Sequence, residues 1–144
     1  MTAMSYKKLF KKCPNCGFEW KTRGSFLIDP ELDLIGYQCN FKELNSGLFY
    51  FNHSCKGTLA VSVGAFEYLY DGKVFEKRAA GTLECPGFCL HKEELEPCPT
   101  QCEGSYVREI IQIIQDLKKL PNYCTVEGSI YPYNSNAHRL CSAN

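Results

Sequence analysis

Three tight cysteine pairs constrain this chain more than any other feature: Cys13-Pro-Asn-Cys16, Cys85-Pro-Gly-Phe-Cys89 and Cys98-Pro-Thr-Gln-Cys102. Two thiolates on one short loop can face a single point, which is what a soft metal ion requires of its ligands. A fourth half-site, His53-Ser54-Cys55, brings the donors to two sets of four. One set is Cys13, Cys16, His53 and Cys55; the other is Cys85, Cys89, Cys98 and Cys102. A chain with such loops folds around its ligand sets, with the intervening segments supplying sheet and helix.

Composition decides whether these cysteines replace a hydrophobic core or accompany one. With 44% apolar residues and 13% aromatics in 144 residues, the chain can bury a core of its own. Met1 to Lys12 is basic but holds no apolar stretch of signal-peptide length, and no run reaches the length of a membrane span. A cytoplasmic, reducing location is therefore expected, where clustered cysteines are more often metal ligands or redox groups than disulfides. The even count of ten cysteines and the C-terminal Cys141 keep a disulfide framework as the alternative. Net charge is zero, so nothing global points to nucleic acid or to membranes. Charge is unevenly spread, with Lys7, Lys8, Lys11, Lys12, Lys21 and Arg23 against Glu19, and Glu84, Glu93, Glu94, Glu96 and Glu103 against Lys92. Both runs read as solvated surface around metal loops.

Along the chain, residues 6–23 read as a hairpin carrying Cys13 and Cys16, with Phe18, Trp20 and Thr22 alternating as in a strand. Ile35–Phe41 and Gly47–His53 read as strands joined at Glu43–Ser46, and Thr58–Val63 as a third. Gly64–Tyr70 suits a short helix closed by Asp71-Gly72. Residues 84–104 form a proline-rich, cysteine-rich loop. After it, Val107, Ile110, Ile111, Ile114 and Leu117 share one face of a helix over Tyr106–Leu120, with Arg108, Gln112, Gln115 and Lys119 on another. Ser105 is placed to cap it, and Pro121 stops it. The expected organisation is one metal-binding domain over 1–121, made of a ribbon-like part (6–63) and a cysteine-rich loop plus helix (84–121), followed by a tail at 122–144.

At the first set, the short turn lets both sulfurs reach one ion, and the glycine relieves the backbone where amides approach sulfur. Cys13, Pro14, Cys16 and Gly17 resemble the first knuckle of zinc-ribbon proteins. The resemblance implies a second knuckle of the form Cys-x-x-Cys-Gly; His53-Ser54-Cys55-Lys56-Gly57 is the nearest match, one residue shorter and with His for Cys. Cys39 competes for that role. As free thiols, Cys13 and Cys16 would simply occupy a turn, and His53 alone would be a hydrogen-bonded strand-end histidine.

The second set supplies four sulfurs within eighteen residues. Cys₄ zinc is its simplest filling, and an iron–sulfur cluster is the rival, since it takes the same four thiolates. Cys98 and Cys102 lie just before the helix, whose N-terminal dipole favours thiolates and would serve ligation or a reactive dithiol alike. His91 reads as an exposed loop residue. The stretch from Cys85 into the Val107–Ile110 helix is similar to a group of uncharacterised cysteine-rich bacterial proteins, which carries over no activity.

No glycine-rich phosphate loop, His-Glu-x-x-His, nucleophile elbow or His-x-Glu deaminase pattern occurs. Aromatic residues concentrate in the strands, where a core role outweighs a stacking platform for bases. The expected fold is α+β: a small antiparallel sheet with a zinc-ribbon-like hairpin, one long C-terminal helix and a Cys-rich metal loop. The expected function is a metal-binding protein holding one or two Zn²⁺ in structural Cys/His sites and acting as an interaction or regulatory module with a protein partner. The rival is a redox or sensing protein with an iron–sulfur cluster or reactive dithiol at Cys85–Cys102. Nucleic-acid binding through the Lys7–Arg23 patch is the third class. Cys124 and Cys141 remain without a role.

Overall fold

Leu48 to His53 alternates outward and inward, and around that strand the fold is built. The computed structural model describes residues 9–119, together with the backbone at 123–126 and 129–132. Strand β1 (Lys11–Lys12) pairs antiparallel with β2 (Glu19–Trp20) in a minimal hairpin, followed by helix α1 (Arg23–Leu27). Strands β3 (Leu32–Gln38), β4 (Leu48–His53) and β5 (Thr58–Ser62) form an antiparallel sheet in the order β3-β4-β5. A 3-10 segment (Val63–Leu69) follows, then the long loop with one 3-10 turn (Phe88–Leu90), and helix α2 (Ser105–Lys119). The class is α+β, as the element pattern predicted. Within the segment expected to be a tail, β6 (Tyr123–Val126) and β7 (Ser129–Pro132) pair as a further hairpin. Lys7, Lys8, Pro121 and Cys141 lie outside the described residues.

In β4, Phe49, Phe51 and His53 point inward while Asn52 faces solvent. Strand β3 begins three residues before the predicted Ile35, because Leu32 and Leu34 already face the core. A register shift between Leu34 and Gly36 then leaves Ile35 unpaired and facing outward, which restores Tyr37 to the inside. The predicted helix at 64–70 is a 3-10 segment that drives Phe66 among Phe26, Phe49 and Phe51, with ring centroids 6.1–6.3 Å apart. Aromatic packing is therefore the main use of these rings.

Helix α1 was not foreseen. It is five residues long, too short for a periodic signal, and is held by a capping box: Ser25 N–H donates to Thr22 Oγ1 at 3.0 Å, and Thr22 N–H to Ser25 Oγ at 3.3 Å. In α2, Val107, Ile110, Ile111 and Ile114 are fully buried and Leu117 nearly so, as the periodicity required. The helix starts at Ser105 itself, whose hydroxyl donates to Cys102 O at 2.8 Å instead of capping from outside. Arg108, assigned to the polar face by its spacing, is completely buried. Near the helix end, the Lys118 ammonium donates to Phe26 O, Leu27 O and Asp29 O at 3.0, 2.7 and 3.3 Å, tying α2 to the C-terminal end of α1. Burial lowers its pKa to about 8, against the pull of Asp29 and Asp33. None of the described helices is long and apolar enough to cross a membrane.

Candidate metal centre

Two hairpin loops meet at one edge of the core. The first joins β1 to β2: Cys13 N–H donates to Phe18 O at 2.8 Å and Gly17 N–H to Cys13 O at 2.9 Å, with Gly17 at φ +82°. The second joins β4 to β5: His53 N–H donates to Gly57 O and Lys56 N–H to His53 O, both at 2.8 Å. This is a three-residue loop whose last residue, Lys56, sits at φ +80°. Each loop thus turns left-handed at the residue after its last sulfur. A sharp turn there aims the sulfur inward and presents backbone N–H groups to it.

The two loops bring Cys13, Cys16, His53 and Cys55 together, with all four ligand atoms within 4.8 Å of one another. Cys13 Sγ lies 3.6 Å from Cys55 Sγ; His53 Nδ1 lies 3.5 Å from Cys16 Sγ and 3.2 Å from Cys55 Sγ. A tetrahedron with Zn–S near 2.3 Å and Zn–N near 2.0–2.1 Å has S–S edges of about 3.8 Å and S–N edges of about 3.5 Å. The set therefore has the dimensions of one tetrahedral coordination sphere and can hold a metal ion. His53 offers Nδ1, a choice of nitrogen that the spacing alone does not reveal.

Hydrogen bonds to sulfur prepare the thiolates. The Asn15 side-chain amide donates to Cys55 Sγ at 3.3 Å and to Cys55 O at 3.0 Å, and Gly57 N–H donates to the same sulfur at 3.3 Å. The Asn15 amide chiefly, with Gly57 N–H and His53, lowers the Cys55 pKa to about 6 against the effect of burial. The N–H groups of Cys16 and Asn15 hold Cys13 below the ordinary thiol range. Cys16 moves the other way: despite the Phe18 N–H, burial and the neighbouring Cys13 and Cys55 thiols raise it. At His53 burial acts downward, but the Cys55 and Cys13 sulfurs outweigh it and raise the imidazole. Cys13 is 1% exposed and His53 8%, while Cys16 faces solvent. Behind the site stands Trp20, its ring 5.1 Å from the His53 ring and its indole N–H donating to Asp29 at 2.8 Å.

The second predicted set sits elsewhere. Cys85, Cys89, Cys98 and Cys102 line one cavity in the 84–104 loop, and Cys39 lines it with them. Cys39, the competitor for the first site, therefore belongs to this cavity, and His53–Cys55 completes the Cys13 group. These five sulfurs surround a space and do not close on one point as the first four do. Cys39 lies against Cys89; that contact and the Arg108 guanidinium bring Cys89 down to about 6 against the effect of burial, while Cys39 is pushed well up by Cys89 and burial. Ala79 N–H donates to Cys102 Sγ at 3.4 Å, and Cys98 Sγ donates to Thr100 O at 3.7 Å. His91 is exposed, as expected. Spacing gave no sign of Asn15 at Cys55 or of Arg108 at the cavity wall, because each depends on how two distant segments meet. No protein-family model, curated protein or solved structure matches the chain.

Proposed function

We propose that this is a zinc-binding protein in which a single Cys₃His ion clamps the β1–β2 hairpin to the β4–β5 turn, as in a zinc-ribbon-like unit. One observation carries this reading: four soft donors from two loops 37 to 42 residues apart in sequence converge within 4.8 Å of one another, near the corners of one tetrahedron. Three thiolates and an imidazole favour zinc over harder cations. Four protein ligands leave no open coordination position, so the ion's role is structural. Its binding energy is then folding energy for the loops it joins. The framework so fixed presents exposed Phe18, Tyr68, Val74, Leu83 and Leu90, apolar side chains suited to a protein partner. Elemental analysis of anaerobically purified protein, with X-ray absorption at the zinc edge, tests the assignment. Zinc in an S₃N shell that disappears in Cys16→Ser is the expected result. A first shell of oxygens, or unchanged zinc content in that variant, refutes it.

A further inference from the structure

The cavity in the 84–104 loop has a composition that packing does not explain. Five cysteines and a buried arginine line a cavity that is partly open to solvent. Arg108 is fully buried. Its Nη1 donates to Glu94 O and Glu96 O, but Nε and Nη2 have no partner. The guanidinium lies over the rings of Tyr37 and Phe88, with its carbon 5.5 and 5.6 Å from their centroids. Together with the Tyr37 hydroxyl these are the only orphaned buried side-chain polar atoms among the described residues. Two unpaired guanidinium donors in a buried site are destabilising unless an anionic group accepts from them.

We propose that this cavity holds an iron–sulfur cluster ligated by Cys85, Cys89, Cys98 and Cys102, with Arg108 donating to its sulfurs and Cys39 as a neighbouring thiol beside Cys89. Four thiolates around a cluster carry net negative charge, which supplies the acceptor that Arg108 lacks. The arrangement of the sulfurs separates this from a second single ion. At the Cys13 site the same chain closes four donors to mononuclear dimensions; here five sulfurs line one cavity without closing to those dimensions. Ligands also come from one loop tied to itself and to its surroundings. Tyr37 N–H donates to Lys92 O at 2.9 Å, Thr100 Oγ1 to Glu84 O at 2.6 Å and Glu103 N–H to Lys77 O at 2.7 Å. The Ala79 N–H on Cys102 is the kind of amide-to-sulfur bond that tunes a cluster.

This inference uses residues other than those of the Cys₃His site, and acid-labile sulfide, which a mononuclear site lacks, separates the two. The experiment is anaerobic reconstitution of the full chain with iron and sulfide, followed by visible absorption, iron and labile-sulfide analysis, and potentiometry. Labile sulfide about equimolar with iron is expected, lost in Cys98→Ala and retained in Cys39→Ala. In Arg108→Lys, which keeps a charge but loses the fork of donors, the cluster is expected to form with a more negative reduction potential. A colourless product with zinc in place of iron and no labile sulfide overturns the proposal. So does a Cys39–Cys89 disulfide in the anaerobic protein, or a cluster that survives Cys98→Ala. A potential unmoved by Arg108→Lys removes the role given to the arginine, and loss of the cluster in Cys39→Ala overturns the ligand assignment.

Discussion

Lys56 is the residue on which the metal centre can be tested most sharply without touching a ligand. It occupies φ +80°, directly after Cys55, just as Gly17 occupies φ +82° directly after Cys16. A residue with a Cβ pays about 1–2 kcal/mol for the left-handed region, whereas glycine pays nothing there but loses about 0.5–1 kcal/mol of additional chain entropy on folding. Lys56→Gly is therefore expected to stabilise the loaded protein by about 0.5–1 kcal/mol. That corresponds to roughly twofold to fivefold tighter metal binding and to a rise of about 2–4 °C in Tm. The substitution also removes a cation beside three thiolates, and Lys56→Ala controls for this because it loses the same charge and keeps the backbone penalty. The assay is chelator competition and thermal melting of the metal-loaded wild type, Lys56→Gly and Lys56→Ala. Gly should exceed Ala by the full backbone increment. Equal values for the two variants, or a better Ala, would show that the loop is not held left-handed at this position and that the paired-loop geometry is wrong.

Three further outcomes follow from the same geometry. A Cβ on Gly57 would stand 2.6 Å from Asn15 Cβ and 3.2 Å from Cys55 Sγ, so Gly57→Ala should push the loops apart at about 1–3 kcal/mol and weaken metal binding roughly tenfold by chelator competition. Acid should release the ion. Metal-bound sulfurs are thiolates whereas unfolded thiols hold their protons up to about pH 8.5, so metal-loaded Tm should fall as pH drops from 8 to 5, the more steeply once His53, held above its ordinary value, and then Cys55 also take up protons; a flat profile from pH 8 to 5 counts against these ligands. Trp20, the single tryptophan, is 2% exposed and packed against His53. Chelation should shift its emission to the red and zinc should restore it; an unchanged spectrum would mean that the loops stand without metal.

How much of this was legible in the sequence depends on whether a signal is local. The alternation of Phe49, Phe51 and His53 and the helical face from Val107 to Leu117 are local periodicities, and both segments fold accordingly. Cys13-Pro-Asn-Cys16-Gly is a local turn, and its chemistry was readable for the same reason. The start of β3 was misplaced because the bulge at Ile35 breaks the period of two on which strands are read. Helix α1 depends on one capping box over five residues, too few for a period. Arg108 looked like a surface residue because helical spacing places it away from the isoleucines; what buries it is the 84–104 loop folding over that side of the helix. The choice between Cys39 and His53–Cys55 was likewise a question of which strand ends meet, and spacing carries no information about that.

The register of the sheet answers that question and separates the two sulfur centres. Leu32 pairs with His53 at one end of β3 and β4, and Gln38 pairs with Leu48 at the other, so Cys39 leaves the sheet at the end opposite His53 and Cys55. Strand β4 has six residues, which at about 3.4 Å per step puts the two centres roughly 17 Å apart along its axis. Across such a distance in water two unit charges interact by only about 0.2 kcal/mol, and physiological salt screens most of that. The charge at one centre therefore has little direct hold on the other, and any linkage runs through folding. The dependence on folding is unequal. The Cys13 group joins two separate hairpins over Trp20 and Phe26, so an ion held there would help to close the core. The cavity group gathers four of its five cysteines from a single loop, with the sheet contributing only Cys39. Removing metal from the first centre is thus expected to loosen the sheet that carries the second, whereas emptying the second leaves β3, β4 and β5 paired and releases only the loop laid over Arg108.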